Sequence, residues 1–479
     1  MLARRRRRLV GTGWIWFFGL LWAYILLIFW LIKSGKMQEW GMSLAFGFVL
    51  MIRTKRGRGT IDAIARPKRF WNLFGDLGIA VVLLVMAGFT FLMILIIGPS
   101  LDPNSGVRPA AVNEILVIPG INPFVPLWYG LIGLIVTLVV HEGGHGILAR
   151  ANDLKVKSLG LLYAIVPIGA FVEPDEDEIR EASLRKRLRV FSAGPMVNVV
   201  VALLVLIPMV AMIGAAAPAE GAAIQSIVAG GPADMAGIEP GDLITSINGT
   251  AVLSTSGLRG AMDGYLPGDN VTVGLADRTV NVTLTDRWSS LDEDAREGIA
   301  EFGADAAAWC QALYGDQIQD WAACAEAARM DPMFGVHLFD AHRWQTILTG
   351  PLDSLIHFVS IISLPIEEVR GSPLLGTLLP TFMETPFQED AFWITYNVLF
   401  WVFWLNFLVG TFNALPMLPL DGGHIFRDTV QGILRKVRPN MESEDRDRVV
   451  GRVAGAVSFL IFGIIILSLV GPRLVQSLA

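Results

Sequence analysis

Charge is scarce in this chain. Of its 479 residues only 17% are Asp, Glu, Lys or Arg, where soluble domains carry about 25%. With 53% hydrophobic residues, a water-soluble fold would leave apolar surface that nothing covers, so the composition points to the membrane class. Cysteine is nearly absent: Cys310 and Cys324 are the only two and form no CxxC pair, which excludes cysteine-based zinc and redox motifs. No basic excess is present, the net charge being −6, and nothing suggests nucleic acid as a partner. A leader cleavage site is missing as well. The apolar run from about Gly13 to Ile32 outlasts the ~7–15 residues of a signal h-region and is followed by Lys33 and Lys36. It reads as a retained membrane helix.

What the chain has instead is long apolar stretches. A spanning helix needs roughly 20 mostly apolar residues, and 13–32, 71–98, 124–149, 187–215, 390–416 and 449–471 all qualify, while 37–52 is shorter. Lys and Arg in short loops set orientation. Arg4–Arg8 and the loop 53–70 are both basic and are expected in the cytoplasm. That requires 37–52 either to cross as a short span or to make 13–52 a re-entrant pair. Loop 99–123 is then outside, 150–186 inside, 217–389 outside and 426–448 inside, in agreement with the basic bias at each step. The expectation is a multi-pass cell-membrane protein of α-helices with an extracytoplasmic, mostly β insertion and a small helical insert.

Within the polar block, Ala222 to Thr285 alternates strand-like runs such as AAIQSIV, DLITSING and TVNVTLT with turn signals. The run GGPADMAGIEPGDLITSINGTAV resembles a stretch of a PDZ domain, although no GLGF-like carboxylate loop precedes AAIQSIV. From 288 to 342 the pattern turns Ala-rich, acidic and helical, with Cys310 and Cys324 placed to staple a hairpin outside the cell. Six domains are expected. N-terminal membrane helices and a basic loop (1–70) precede a first catalytic membrane segment carrying HEGGH (71–216). A PDZ-like domain (217–287), a helical insert (288–342) and an interfacial segment (343–389) follow. A second catalytic membrane segment with the last span (390–479) ends the chain.

Chemistry concentrates where a span ends in GLIVTLVVHEGGHGILAR. His141 and His145 are four residues apart, so a helix of 3.6 residues per turn puts both imidazoles on one face. Two such imidazoles hold one Zn²⁺ at roughly 2.0–2.1 Å each. Glu142 occupies the HExxH position in which the carboxylate acts as base rather than ligand. Three ionisable groups near the end of a membrane helix are costly unless paired or coordinated; the plain alternative is a polar cluster packed in a bundle. Catalytic zinc usually takes a third protein ligand. Another span ends in LVGTFNALPMLPLDGGHIF, where Pro416, Pro419, Gly422 and Gly423 break the helix around Asp421, which lipid tolerates only where protein or water surrounds the break. Asp421 and His424 both compete for the third position.

Together HEGGH (141–145) and NALPMLPLDGG (413–423) resemble the site-2 protease family of intramembrane zinc metalloproteases, most of all its prokaryotic and archaeal members. VPIGAFVEPDED (166–177) and FSAGPMVN (191–198) are similar to further family stretches, and a PDZ domain between the two catalytic spans is a family arrangement. The resemblance covers about 120–290 and 390–430. It implies His141, His145 and Asp421 as zinc ligands, Glu142 as general base, and Asn413, with Asn198 behind it, as substrate-binding residues. The substrates implied are single-span membrane proteins cut in regulated intramembrane proteolysis. A helical substrate hides its amides, so an extended segment such as VPIGAFV is expected to pair with it once unwound. The block 217–342 is expected to act as a size filter. Two other functions stand beside this: an inactive PDZ-bearing scaffold, which leaves HExxH unexplained, and a metal-dependent transporter, which predicts internal repeats that the sequence lacks.

Overall fold

The computed structural model describes residues 19, 21–45, 47–54, 57–101, 117–122, 125–164, 166–287, 328–369 and 378–478. Arg4–Arg8, the Cys310–Cys324 pair and most of the expected helical insert lie outside these residues. The chain forms two compact units, one of residues 1–207 with 398–479 and one of residues 208–397.

The first unit opens with the apolar helix α1 (Leu21–Lys33), followed by an antiparallel hairpin, β1 (Met42–Ala45) and β2 (Val49–Thr54). The stretch 37–52 therefore does not cross as a helix. Gly47, at φ +79°, supplies a turn that a residue with Cβ resists. Both ends of the hairpin lie near Lys36: Arg53 N–H donates to Gly41 O at 3.3 Å, and Trp30 and Trp40 meet edge to face at 6.4 Å. Its tip returns to Tyr24, whose hydroxyl accepts from Leu50 N–H at 3.3 Å and lies 2.7 Å from Tyr163 O. The hairpin thus leaves at the end where it entered. Its hydrogen-bond partners come from β3 (Val156–Ala164), more than a hundred residues on, which pairs in turn with β4 (Val166–Pro174). The sheet order is β1-β2-β3-β4, so β4 is an edge strand.

Helix α2 (Arg58–Ala65) leads into three long apolar helices, α3 (Lys68–Leu101), α4 (Leu127–Ala151) and α5 (Leu184–Ala215). Leu77, Leu84 and Phe91 of α3 are exposed, a surface suited to lipid rather than water. Arg187, at the start of α5, donates to Asp428 at 2.7 Å and to Gln431 at 3.0 Å, while Arg189 grips Asp76 at 2.6 and 2.8 Å. Removing one partner from the buried Arg187–Asp428 pair would strand a charge, at a cost of roughly 3–5 kcal/mol.

The second unit carries a sheet built from β5 (Ala222–Ile227), β6 (Leu243–Ile247), β7 (Thr250–Ala251), β8 (Asn270–Leu275), β9 (Thr279–Thr283) and β10 (Val336–Phe339), in the order β9-β8-β6-β5-β10 with β7 on β6. Ile224, Ile244, Ile247, Val271 and Val273 fill its core, against the short helices α6 (Pro232–Met235) and α7 (Thr255–Met262). The sequence pattern assigns 336–339 to a helical insert; the structure makes it the strand that closes the sheet. Ala223 lies opposite Phe339, and that long-range pairing is what a short VHLF segment cannot announce by itself. Helices α8 (Ala341–Thr349) and α9 (Leu355–Val369) follow.

The chain re-enters the first unit through α10 (Glu389–Asn413), turns over a short irregular loop into α11 (Asp421–Val437) and ends in α12 (Ser443–Leu478). In all, five helices among the described residues are long and apolar enough to span a membrane, α3, α4, α5, α10 and α12. The protein is a polytopic membrane protein with a sheet-bearing region.

Candidate metal centre

Helix α4 sets the first two groups. His141 is buried and His145 nearly so, with ring centroids 4.9 Å apart and planes at 77°. The one-turn spacing of the two residues sets their imidazoles side by side, edge to face, on one face of the helix, as the sequence spacing requires.

Helix α5 crosses beside them and presents three residues at four-residue intervals. Val190 O lies 2.8 Å from His145 Nδ1. Asn198, fully buried, has Nδ2 at 3.0 Å from His141 Nδ1. Between them, Gly194 leaves the space the imidazoles occupy: a Cβ there would stand 2.5 Å from His145 Nε2 and 2.6 Å from His141 Nε2.

The third group arrives from the broken helix. After α10 ends at Asn413, the loop is held to α12 by Leu418 N–H donating to Ser458 Oγ at 2.9 Å. Gly422 and Gly423 let α11 begin hard against that loop: a Cβ on Gly422 would run into the carbonyls of Ala414 and Leu415, and one on Gly423 into the Met417 and Leu418 backbone. This close approach brings Asp421 Oδ2 to 3.2 Å from His141 Nε2 and 3.3 Å from His145 Nε2. The two Nε2 atoms are themselves 3.3 Å apart.

Three donor atoms thus form a nearly equilateral triangle. For ligands at roughly 2.0–2.1 Å in a tetrahedral site, donor–donor separations are ~3.3 Å. Two imidazole nitrogens and one carboxylate oxygen are also a zinc-type donor set. The residues fit the ion, and His141, His145 and Asp421 would hold it. They are the single such cluster among the described residues.

Glu142 follows His141 on α4, and its Oε2 accepts the Val172 N–H of β4 at 2.9 Å. His424 stays out of the cluster. Its ring stacks on Phe191 at 4.8 Å and 10°, and burial first, then the nearby Arg427 cation, holds its imidazole below the ordinary histidine pKa. Asn413 ends α10 half-buried, eight residues before Asp421, and the structure brings it to no partner in the cluster. Gly194, Val190 and the Val172 amide escape sequence reasoning. The only available signal is the four-residue step from Val190 to Gly194 to Asn198, which means nothing until α5 is known to cross α4.

Comparison with known proteins bears on the whole of this arrangement. A profile of peptidase family M50 matches residues 129–468. The chain is 24% identical over 455 residues to an uncharacterized protein of Methanocaldococcus jannaschii, covering 93% of this chain and 97% of that one. It is 26% identical over 373 residues to zinc metalloprotease Rip1 of Mycolicibacterium smegmatis, covering 64% of this chain and 86% of that protein. Against zinc metalloprotease Rip1 of Mycobacterium tuberculosis it is 23% identical over 370 residues, with the same 64% and 86% coverage.

Proposed function

The chain belongs to peptidase family M50 and is a zinc metalloprotease of the site-2 type, and from that premise we propose that it hydrolyses peptide bonds within or beside the transmembrane segments of single-span membrane proteins, with His141, His145 and Asp421 as zinc ligands and Glu142 as general base. The observation that carries the assignment of residues is the donor triangle with edges of 3.2, 3.3 and 3.3 Å, with a carboxylate on the residue next to one of its corners.

Zinc bound there supplies a Lewis acid for the scissile carbonyl and acidifies water toward a pKa of ~7. The protein's own groups do the rest. Glu142 is oriented by the Val172 N–H through Oε2, which leaves Oε1 to take a proton from the attacking water and pass it to the leaving amine. The same hydrogen bond ties the base to the edge strand of the sheet. Val172 turns its N–H away from β3, and strand alternation turns that of Ala170 the same way. An unwound substrate segment would add to this edge, which brings its amide bonds alongside Glu142. Asn413 is close enough in the chain to Asp421 to contact such a segment.

Sidedness belongs to the same proposal. Arg58, Arg150, Lys155 and Lys157 line one cavity at the end of α4, which supports a cytoplasmic position for that end and for the metal centre. The sheet of the second unit is then extracytoplasmic, and its strand-and-turn sequence supports reading it as PDZ-like.

Glu142→Gln tests the mechanism in the purified, full-length protein. Zinc content measured by elemental analysis should stay near that of wild type, while cleavage of a single-span substrate should fall by about 10²–10⁴-fold, the usual contribution of a positioned base. Cleavage at the wild-type rate would sink the assignment of Glu142.

A further inference from the structure

We propose that Asn198 is a positioning residue for the metal centre, and not a substrate contact: its amide oxygen accepts the Nδ1–H of His141 and so holds Nε2 turned toward the cation. The proposal rests on the metal reading above and adds to it a residue that no ligand motif contains.

Asn198 is fully buried, so it has no face to offer a peptide. Its Nδ2 lies 3.0 Å from His141 Nδ1, and its Oδ1, equally buried, has no hydrogen-bond partner among the described residues. A buried acceptor without a donor costs about 1–3 kcal/mol. The protonation of His141 resolves the mismatch. An imidazole that gives the Nε2 lone pair to a metal carries its proton on Nδ1, and two N–H groups cannot face one another. The two ends of a carboxamide are told apart by their partners. Turning the amide over sets Oδ1 against Nδ1–H, so the orphaned acceptor gains a donor and the donor–donor clash disappears.

The same pair of helices repeats the construction at His145. His145 Nδ1 lies 2.8 Å from Val190 O, a group that only accepts. Val190, Gly194 and Asn198 therefore form a stripe of acceptor, gap and acceptor along one face of α5, ~6 Å per step. Each metal-facing imidazole is fixed from behind by an oxygen on that stripe. Groups of this kind orient the ring and raise its basicity, and losing one typically weakens metal affinity by 10–100-fold.

The test compares zinc dissociation constants, by chelator competition, for full-length wild type, Asn198→Asp, Asn198→Leu and His141→Ala, with the thermal unfolding of each metal-free protein recorded alongside. Asn198→Asp keeps the acceptor and removes the donor, so its zinc affinity should match or exceed that of wild type. Asn198→Leu keeps the volume and removes the acceptor, so it should bind zinc about 10–100-fold more weakly while unfolding normally. Wild-type affinity in Asn198→Leu overturns the proposal. So does a tenfold or larger loss in Asn198→Asp, and that variant decides alone if the leucine variant does not fold. If His141→Ala binds zinc as wild type does, the metal reading itself falls and the proposal falls with it.

Discussion

Gly194 stands where any side chain would enter the metal centre, with an added Cβ 2.5 Å from His145 Nε2 and 2.6 Å from His141 Cε1. Both contacts fall well inside van der Waals range, and both imidazoles are pinned from behind, one by the Val190 carbonyl. Gly194→Ala should therefore weaken zinc binding by roughly tenfold or more, on the scale of losing a ligand-orienting group. Chelator competition reads this directly, and an unchanged dissociation constant would show that the rings can retreat. His141, Glu142 and His145 are legible in the sequence because their relation is local: a helix turns the spacing of four residues into one face. Asp421 and Gly194 are different. Their place depends on which other segments cross α4, and no local spacing encodes that.

Among the elements, β4 carries the clearest expectation. Its Phe171 and Gly169 face β3 across the ladder, opposite Gly160 and Leu162, while Val172 N–H is spent on Glu142. Strand alternation turns the Ala170 N–H to the same outward side, where it would donate to an incoming strand. Proline at an edge strand is tolerated where the missing N–H faces outward. Ala170→Pro should leave zinc content unchanged and slow cleavage of a substrate with a stable transmembrane helix, with a smaller effect on one whose helix is broken by Gly and Pro. Equal rates for wild type and variant on the stable substrate would remove the edge-pairing step. The VPIGAFV strand is readable from its β-branched residues. The hairpin at 42–54 is not, because β2 is fixed by its long-range pairing with β3, and a short apolar sequence looks alike whether it forms a helix or a strand.

At the scale of the whole molecule, the sheet of the second unit is an insertion whose ends meet. Ala223 pairs with Phe339, so the chain enters and leaves the sheet at adjacent strands, ≈ 4.7–4.9 Å apart. A short flexible linker in place of 222–340 should therefore spare the metal centre, all of whose residues lie in the first unit. Along the chain the insertion lies between α4, which carries His141 and His145, and Asp421 at the start of α11, and we propose that it filters substrates by size. Wild type should cut a single-span substrate only after its folded extracellular domain has been trimmed; the shortened enzyme should cut trimmed and untrimmed forms alike. A shortened enzyme that keeps its zinc and still refuses the untrimmed form would reduce the insertion to passive length, which loops accept at small entropic cost.

Membrane residence, the positions of the five long spans and the HExxH chemistry follow from the sequence itself, because hydropathy and helical periodicity are properties of neighbouring residues. Which atoms surround those imidazoles is a matter of tertiary structure alone. Asp421 joins them through a helix break that two glycines allow to pack tightly, Asn198 and Val190 support them from a crossing helix, and β4 meets Glu142 at a sheet edge. Each of these contacts joins segments 30 to 280 residues apart, and the free energy that selects them comes from packing and buried hydrogen bonds, which exist only once the helices have docked.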